Sequence, residues 1–220
     1  MKNNINVIYE DNHLLVVEKP INIPVQEDSS KDLDFLTMLK NYIKIKYNKP
    51  GNVYLGLVHR LDRPVGGIMV FAKTSKCASR LSDQIREGKF NKIYNAVVEN
   101  KIKNNGILIN KLLKDTKKNI VKVDDNGKLS KLEFTKLKEK NMLSLIQIKL
   151  YTGRSHQIRV QLSYNGNPLY GDQKYNKNAK VGEQLALFAK KIEFYHPTTN
   201  ELMSFEIDLP NRYPFNLFKE

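Results

Sequence analysis

Beyond residue 92 the sequence is dominated by short apolar segments whose length and alternation are typical of β-strands. Turn-forming residues separate these segments, and Asp125-Asn126-Gly127 is a strong signal for a tight hairpin turn. Strands joined by tight turns pair antiparallel, because parallel neighbours need a long crossover connection. The strands predicted in this part of the chain are Lys92–Glu99, Gly106–Leu113, Asn119–Val123, Lys131–Leu137, Leu143–Leu150, Leu185–Phe194 and Leu202–Leu209.

Helical patterns interrupt the strands at three places. Apolar residues fall three or four positions apart after Asp32, and Thr74 or Ser75 can cap a second helix. A third, short helix is expected to begin at a Ser155 cap. The remaining predicted strands are Ile5–Tyr9, Leu14–Glu18 and Gly67–Ala72. With no proline- or glycine-rich linker to divide it, the chain is predicted to form one α+β domain with a mixed, mostly antiparallel sheet flanked by helices.

The charge balance favours a polyanionic partner. The 220 residues include 37 basic and 23 acidic side chains, a formal net charge of +14. Residues 101–140 alone hold twelve lysines against five acidic residues. Such a segment can lie along the phosphates of a nucleic acid. A lysine-rich hairpin that only keeps the surface soluble is the alternative.

Several classes of protein are excluded by what the sequence lacks. Cys77 is the only cysteine, so no intrachain disulfide can form, and it has no cysteine or histidine neighbour at the spacing of a zinc site. No stretch approaches the roughly 18 uninterrupted apolar residues of a membrane span, and the first residues do not look like a signal peptide. We therefore expect a soluble, cytoplasmic protein without a metal and without a membrane partner.

The segment His59–Gly67 places one carboxylate, Asp62, between Arg60 and Arg63. Pro64 stiffens this loop, and the two glycines at its end allow a close approach to another backbone. Neighbouring positive charge favours the ionised form of a carboxylate, which can then act as a nucleophile. An ordinary surface ion pair on a tight turn is the competing interpretation.

A second segment, Tyr151–Gln161, carries Arg154 just before the expected third helix. Within a helix that begins at Ser155, His156 and Arg159 share a face. Cations beside a helix N-terminus suit a phosphate or a carboxylate. A basic amphipathic helix with no ligand has the same pattern.

Taken together and in this order, about ninety residues apart, the two segments resemble the signature motifs of the RluA-type pseudouridine synthase family. Asp11–Pro20, Lys92-Ile93-Tyr94 and Gly166–Asp172 also resemble motifs of that family. The resemblance runs from about residue 7 to residue 209. It implies the pseudouridine synthase catalytic fold, with a central active-site cleft and a mostly antiparallel sheet.

The resemblance also implies roles for individual residues. Asp62 matches the catalytic aspartate, Arg154 the arginine that pairs with it, and Tyr94 the tyrosine that stacks on the target uracil. Arg60 matches a position that can enter the space left by the extruded nucleotide. Arg159 is the alternative partner of the aspartate. The other residues expected to bind substrate are His59, Arg63, His156 and Arg159, although both histidines could serve only as hydrogen-bonding scaffold.

The implied activity is isomerisation of uridine to pseudouridine in ribosomal or transfer RNA, which requires no cofactor and no metal. The expected protein is a monomer, a single catalytic domain over residues 1–220 without a separate N-terminal RNA-binding domain. A catalytically silent RNA-binding factor with the same fold is the alternative. The chain departs from the family pattern at Pro64-Val65-Gly66-Gly67, where Asp-Thr-Ser-Gly is common, and at Phe188, where histidine is usual.

Overall fold

A computed structural model describes residues 5–219. The chain divides into two compact units. The first consists of the residues up to 91 together with 191–207, and the second of residues 92–190 together with those from 208 onward. That these units make up one catalytic domain stays a prediction.

The described residues form strands and helices in the proportions of an α+β protein. In chain order the elements are β1 (Asn6–Glu10), β2 (Leu14–Lys19), α1 (Phe35–Lys46), β3 (Gly56–Leu57), β4 (Gly66–Ala72), α2 (Ser75–Arg86), β5 (Asn91–Glu99), β6 (Asn105–Asp115), β7 (Ile120–Val123), β8 (Lys128–Lys140), β9 (Leu143–Leu150), α3 (Gln157–Tyr164), β10 (Leu187–Tyr195), β11 (Leu202–Glu206) and a 3₁₀ turn (Phe215–Phe218). None of the helices within residues 5–219 is long and apolar enough to cross a membrane.

The first unit is built around β4, whose seven residues are all buried. Strand β2 pairs antiparallel with β1 on one side and with β4 on the other, and Val16 lies opposite Val70. Strands β10 and β11 form an antiparallel pair in which Tyr195 lies opposite Leu202. An edge-on ring contact between Phe35 of α1 and Phe71 of β4, with ring centres 6.1 Å apart, packs the helix against the sheet.

The first two helices begin at side-chain caps. Asp34 accepts a hydrogen bond from the backbone N–H of Thr37 and caps α1, which begins at Phe35, three residues after the Asp32 that precedes the predicted helical pattern. Thr74 caps α2 as predicted, by accepting from the N–H of Cys77. Both helices bury one apolar face, which is what positions them on the sheet.

The second unit contains the antiparallel strand order β5-β9-β8-β6-β7. The lysine-rich segment predicted as hairpins forms β6, β7 and β8, and Gly127 N–H donates to Asp124 O at 2.8 Å in the predicted tight turn. A Cβ on Gly127 would lie 2.4 Å from the Leu112 backbone, so only glycine fits at this turn. Register between β5 and β9 places Lys92 opposite Leu150, at the start of one strand and the end of the other.

Candidate active site

The loop that carries Asp62 connects β3 to β4 and folds back on itself. Val65, almost fully buried, donates its N–H to Asp62 O at 2.9 Å. A Cβ on Gly66 would lie 3.2 Å from Lys19 O, so the loop backbone approaches β2 as closely as the glycine pair predicts. Valine in place of a polar residue at position 65 is explained by this burial. Asp62 itself is half-buried.

Lys19, at the end of β2, holds this loop from inside the first unit. Its side chain is 1% exposed, and its ammonium donates to the carbonyls of Pro20 at 2.8 Å, Arg63 at 3.1 Å and Val65 at 2.8 Å. Burial lowers the pKa of Lys19 to about 7; the charge of Asp62 acts against this shift and that of Arg63 adds to it. Sequence analysis gave Lys19 no role, because the strand predicted over Leu14–Glu18 ended one residue before it.

The arginines beside Asp62 have different surroundings. Arg63 donates from Nε to Asn22 O at 3.2 Å and from Nη1 to Ser30 Oγ at 3.0 Å, and it forms an ion pair with Asp32. Arg60 is exposed and donates to a glutamine side chain, Gln26, at 3.3 Å. Arg63 is therefore bound to the segment that precedes α1.

His59 lies in the same loop as a hydrogen-bond acceptor. Its Nε2 accepts from the backbone N–H of Val70 in β4 at 3.1 Å, and its ring lies 5.5 Å from that of Phe90. This geometry fits the scaffold role weighed for His59, since the side chain ties the loop to the central strand.

In the second unit, Tyr94 lies on β5 and is 7% exposed. Because side chains two residues apart in a strand point to the same face, Lys92 and Tyr94 share a face of β5. Antiparallel pairing with β9 brings the segment after Leu150 to the start of β5. A Cβ on Gly153 would lie 3.4 Å from Lys92 Nζ. The register thus places the second signature motif beside the Lys-Ile-Tyr segment.

Gln157 fixes the loop between β9 and α3. Its buried side chain accepts from Arg154 N–H at 3.0 Å and from the Thr152 hydroxyl at 2.8 Å, and donates to Lys131 O at 3.1 Å. These bonds hold His156 in a left-handed conformation at φ 51°, and α3 begins at Gln157. The predicted start of the helix at a Ser155 cap is therefore wrong.

Arg154 and Arg159 occupy contrasting environments. Arg154 is exposed, donates from Nε to Leu129 O at 3.2 Å, and lines a cavity of about 390 Å³ together with Lys114 and Lys128. Arg159 is 7% exposed on α3 and donates from Nε and Nη2 to the two carboxylate oxygens of Asp172, at 2.9 and 2.7 Å. Such a bidentate pair fixes the plane of the guanidinium.

Tyr175, which sequence analysis did not single out, joins the polar side chains of α3. Its hydroxyl lies 2.6 Å from His156 Nδ1, and its carbonyl accepts from Ser163 Oγ at 2.6 Å. The Arg159 guanidinium lies 5.2 Å from the centre of its ring. The side chains of His156 and Arg159 therefore both contact Tyr175, although His156 precedes the helix.

Phe188 occupies an apolar position within the second unit. It is 3% exposed and makes an edge contact with Phe215, with ring centres 6.4 Å apart. Phenylalanine instead of the usual histidine is thus accommodated by the aromatic ring of the C-terminal 3₁₀ turn. In the described part of the chain, no group of three or more histidine, cysteine, aspartate or glutamate side chains is arranged to hold a metal ion.

The expected site residues are divided between the two units. His59, Arg60, Asp62 and Arg63 belong to the first, whereas Tyr94, Arg154, His156 and Arg159 belong to the second. The pairing of Asp62 with an arginine of the second group stays a prediction.

Comparison with known proteins identifies the family. Residues 13–164 match the family described as RNA pseudouridylate synthase. The chain is 35% identical over 212 residues to Ribosomal large subunit pseudouridine synthase C of Vibrio parahaemolyticus, covering 93% of this chain and 65% of that protein. An uncharacterized RNA pseudouridine synthase of Aquifex aeolicus is 34% identical, with 95% of this chain and 71% of the relative covered. The chain belongs to the RNA pseudouridylate synthase family, and the resemblance to RluA-type members is confirmed.

The fold is confirmed by a solved structure. Human RNA Pseudouridylate Synthase Domain Containing 4 matches with a TM-score of 0.79 at 21% identity, over 93% of this chain and 88% of that one. The predicted α+β class with a mostly antiparallel sheet is therefore correct. The chain spans a little under two thirds of the length of the Vibrio relatives.

Proposed function

We propose that this chain is an RNA pseudouridine synthase, an isomerase that converts uridine in RNA to pseudouridine, with Asp62 as its catalytic carboxylate. Family membership supports the reaction class. The observation that carries the assignment of Asp62 is the clamp formed by Lys19, which holds the loop backbone at Arg63 and Val65 from a fully buried position. A carboxylate on a loop fixed in this way is oriented before substrate arrives.

The chemistry requires one bond to break and another to form. The bond from ribose C1′ to uracil N1 breaks and its electron pair leaves with the base, which then turns and joins C1′ through C5. The proton on C5 is finally removed and N1 takes up a proton, so the product contains the same atoms as the substrate. Asp62 acts either by attacking C1′, with the bond to the carboxylate breaking as C5 joins the sugar, or by taking a sugar proton that is later returned. We propose that Tyr94 stacks on the uracil and assists removal of the C5 proton. Nothing is oxidised or added, so the reaction needs no cofactor.

A uridine paired in a duplex cannot reach a carboxylate in a cleft. The target nucleotide therefore has to be extruded or to lie in a loop, as single-stranded RNA allows. We propose that Arg60, exposed on the same loop as Asp62, enters the space left by the extruded base. The name of the Vibrio relatives favours large-subunit ribosomal RNA over transfer RNA as the substrate.

Two arginines are candidates for the partner of Asp62, and their environments separate them. Arg159 is buried and held in a fixed plane by Asp172, whereas Arg154 is exposed beside the lysines of the basic hairpins. A fixed, desolvated guanidinium orients a carboxylate better than a mobile one. The local structure therefore favours Arg159 as the partner, and Arg154 as a contact to RNA phosphates.

Release of tritium from RNA labelled at uracil C5 tests this proposal. Wild-type protein is expected to release label from an unmodified transcript of bacterial large-subunit ribosomal RNA, and Asp62→Asn to release none while keeping its melting temperature. Arg159→Met should mainly lower kcat, and Arg154→Met should mainly raise KM. Retention of label by wild-type protein on both ribosomal and transfer RNA would instead favour the catalytically silent RNA-binding factor.

Pseudouridine mapping locates the target. Carbodiimide-blocked primer extension on the treated transcript is expected to stop at one or a few positions that are absent after treatment with Asp62→Asn. A stop pattern identical for the two proteins would contradict the assigned role of Asp62.

A further inference from the structure

The cavity of about 390 Å³ in the second unit has only positive charge in its lining. Lys114 of β6, Lys128 at the start of β8 and Arg154 before α3 are its charged residues. In the described part of the chain, no aspartate or glutamate lines it. Its apolar floor includes Leu112 and Val121, both almost fully buried. Three cations, called the cavity cations below, therefore surround one space.

The register of the strands brings the two lysines together. Lys128 lies opposite Leu112 in the antiparallel pair of β6 and β8, and Lys114 follows Leu112 by two positions. Opposite residues in such a pair, and residues two apart in one strand, point to the same face of the sheet. The lysines are thus diagonal neighbours with Cβ atoms about 7 Å apart, at which distance like charges repel. An anion between them would replace this repulsion with attraction.

The third cation comes from the loop before α3. Leu112 and Val121 form a buried cluster with Val160 of α3, so the helix packs on the face of the sheet that carries the two lysines. The Nε of Arg154 donates to Leu129 O at 3.2 Å, which fixes the guanidinium beside the start of β8. Among the described residues, its two terminal nitrogens make no hydrogen bond. The guanidinium can therefore donate from these nitrogens to a ligand.

Neighbouring carboxylates do not supply the counter-charge. Asp124 forms an ion pair with Lys122 at 2.7 Å, and Asp125 is exposed at the tip of the turn. Asp115 accepts the backbone N–H of Lys118 at 3.0 Å. None of the cavity cations forms an ion pair with any residue that the structure describes. A surface that only has to be soluble intersperses both signs of charge, whereas this cavity carries one.

We propose that this cavity binds a backbone phosphate of the RNA substrate near the target uridine, through Lys114, Lys128 and Arg154. The inference rests on the proposed function, because it takes RNA as the ligand, and extends it to two lysines outside both signature motifs. Gly153 lines the cavity and lies beside the start of β5, the strand that carries Tyr94. Both lysines are exposed, so a polymer can reach them. Clustered cations of this kind suit the oxygens of a phosphodiester.

The test removes both lysines in a Lys114→Met/Lys128→Met variant. Lys117→Met/Lys118→Met is the matched control, because it removes the same charge from the turn between β6 and β7, outside the cavity. Binding of the large-subunit ribosomal RNA transcript is measured over a range of salt concentrations. The cavity variant should bind on the order of tenfold more weakly, with the slope of log K against log salt reduced by about 1.4 to 1.8, the value for two phosphate contacts. The control should keep the wild-type slope, and arginine at positions 114 and 128 should restore it.

Stability and kinetics separate a lost contact from a folding defect. Because the two exposed lysines repel each other, the cavity variant should melt at the wild-type temperature or slightly above it. Its KM for tritium release should rise while kcat at saturating RNA stays unchanged. An unchanged salt slope, or an equal loss in the control variant, would overturn the proposal. If wild-type protein releases no tritium but the slope still changes, the proposed isomerase fails while the phosphate site stands.

Discussion

The side chain of Gln157 offers the sharpest test of how the second motif is held in place. Its three hydrogen bonds connect Arg154 and Thr152 to Lys131 of β8, and the side chain is 3% exposed. Gln157→Leu keeps the approximate volume but removes all three bonds. At about 1 kcal/mol for each bond, we expect a loss of about 3 kcal/mol in the free energy of unfolding.

For a chain of this size, 1 kcal/mol corresponds to a change of about 2 to 4 °C in Tm, so the expected decrease is roughly 6 to 12 °C. Differential scanning calorimetry measures it, with Gln173→Leu as a control because Gln173 is exposed and only weakly bonded. The loop that carries Arg154 should also loosen, lowering kcat/KM for tritium release at temperatures where the variant stays folded. A decrease below 2 °C with unchanged kcat/KM would show that the loop is held by other contacts.

Two further predictions concern ion pairs. Burial raises the pKa of Glu10, but hydrogen bonds from Lys46 and Lys73 outweigh it and lower the pKa to about 2. The stability that this lowered pKa provides is present above pH about 4.5 and lost as the pH falls through 2. Glu10→Gln should therefore lower the free energy of unfolding at pH 7 by about 2 kcal/mol, allowing for solvent screening. The acid limb of a curve of Tm against pH should also become flatter. Asp172→Asn leaves Arg159 buried without its carboxylate and should cost about 3 to 5 kcal/mol in urea unfolding; a cost below 1 kcal/mol would contradict this.

Local signals predicted most of the fold, and long-range contacts explain where they failed. Strand alternation and the Asp-Asn-Gly turn identified the hairpins because both depend on neighbouring residues. Asp32 and Asp34 are equally suitable caps by residue type. The structure uses Asp34 for α1, while Asp32 forms an ion pair with Arg63, 31 residues further along the chain. Sequence alone cannot assign two equivalent carboxylates to partners at such different distances.

The same reasoning applies to the candidate site. The two motifs were recognisable as residue strings, but their supports were not. Lys19 reaches carbonyls 44 and 46 residues away, and Gln157 reaches a carbonyl 26 residues away. Tyr175 joins His156 to Ser163 only after the loop that follows α3 has folded back. The two motifs were thus easier to recognise in the sequence than the residues that hold them in place.

Two buried cations show how the structure holds a charge in place. The charge of Arg159 is neutralised by Asp172, and the ammonium of Lys19 is surrounded by carbonyls that fix the Asp62 loop. Both charges are satisfied within the chain, so burial leaves neither of them unpaired. Lys19 thereby fixes the loop of the proposed catalytic carboxylate, and Asp172 fixes the plane of the guanidinium proposed as its partner.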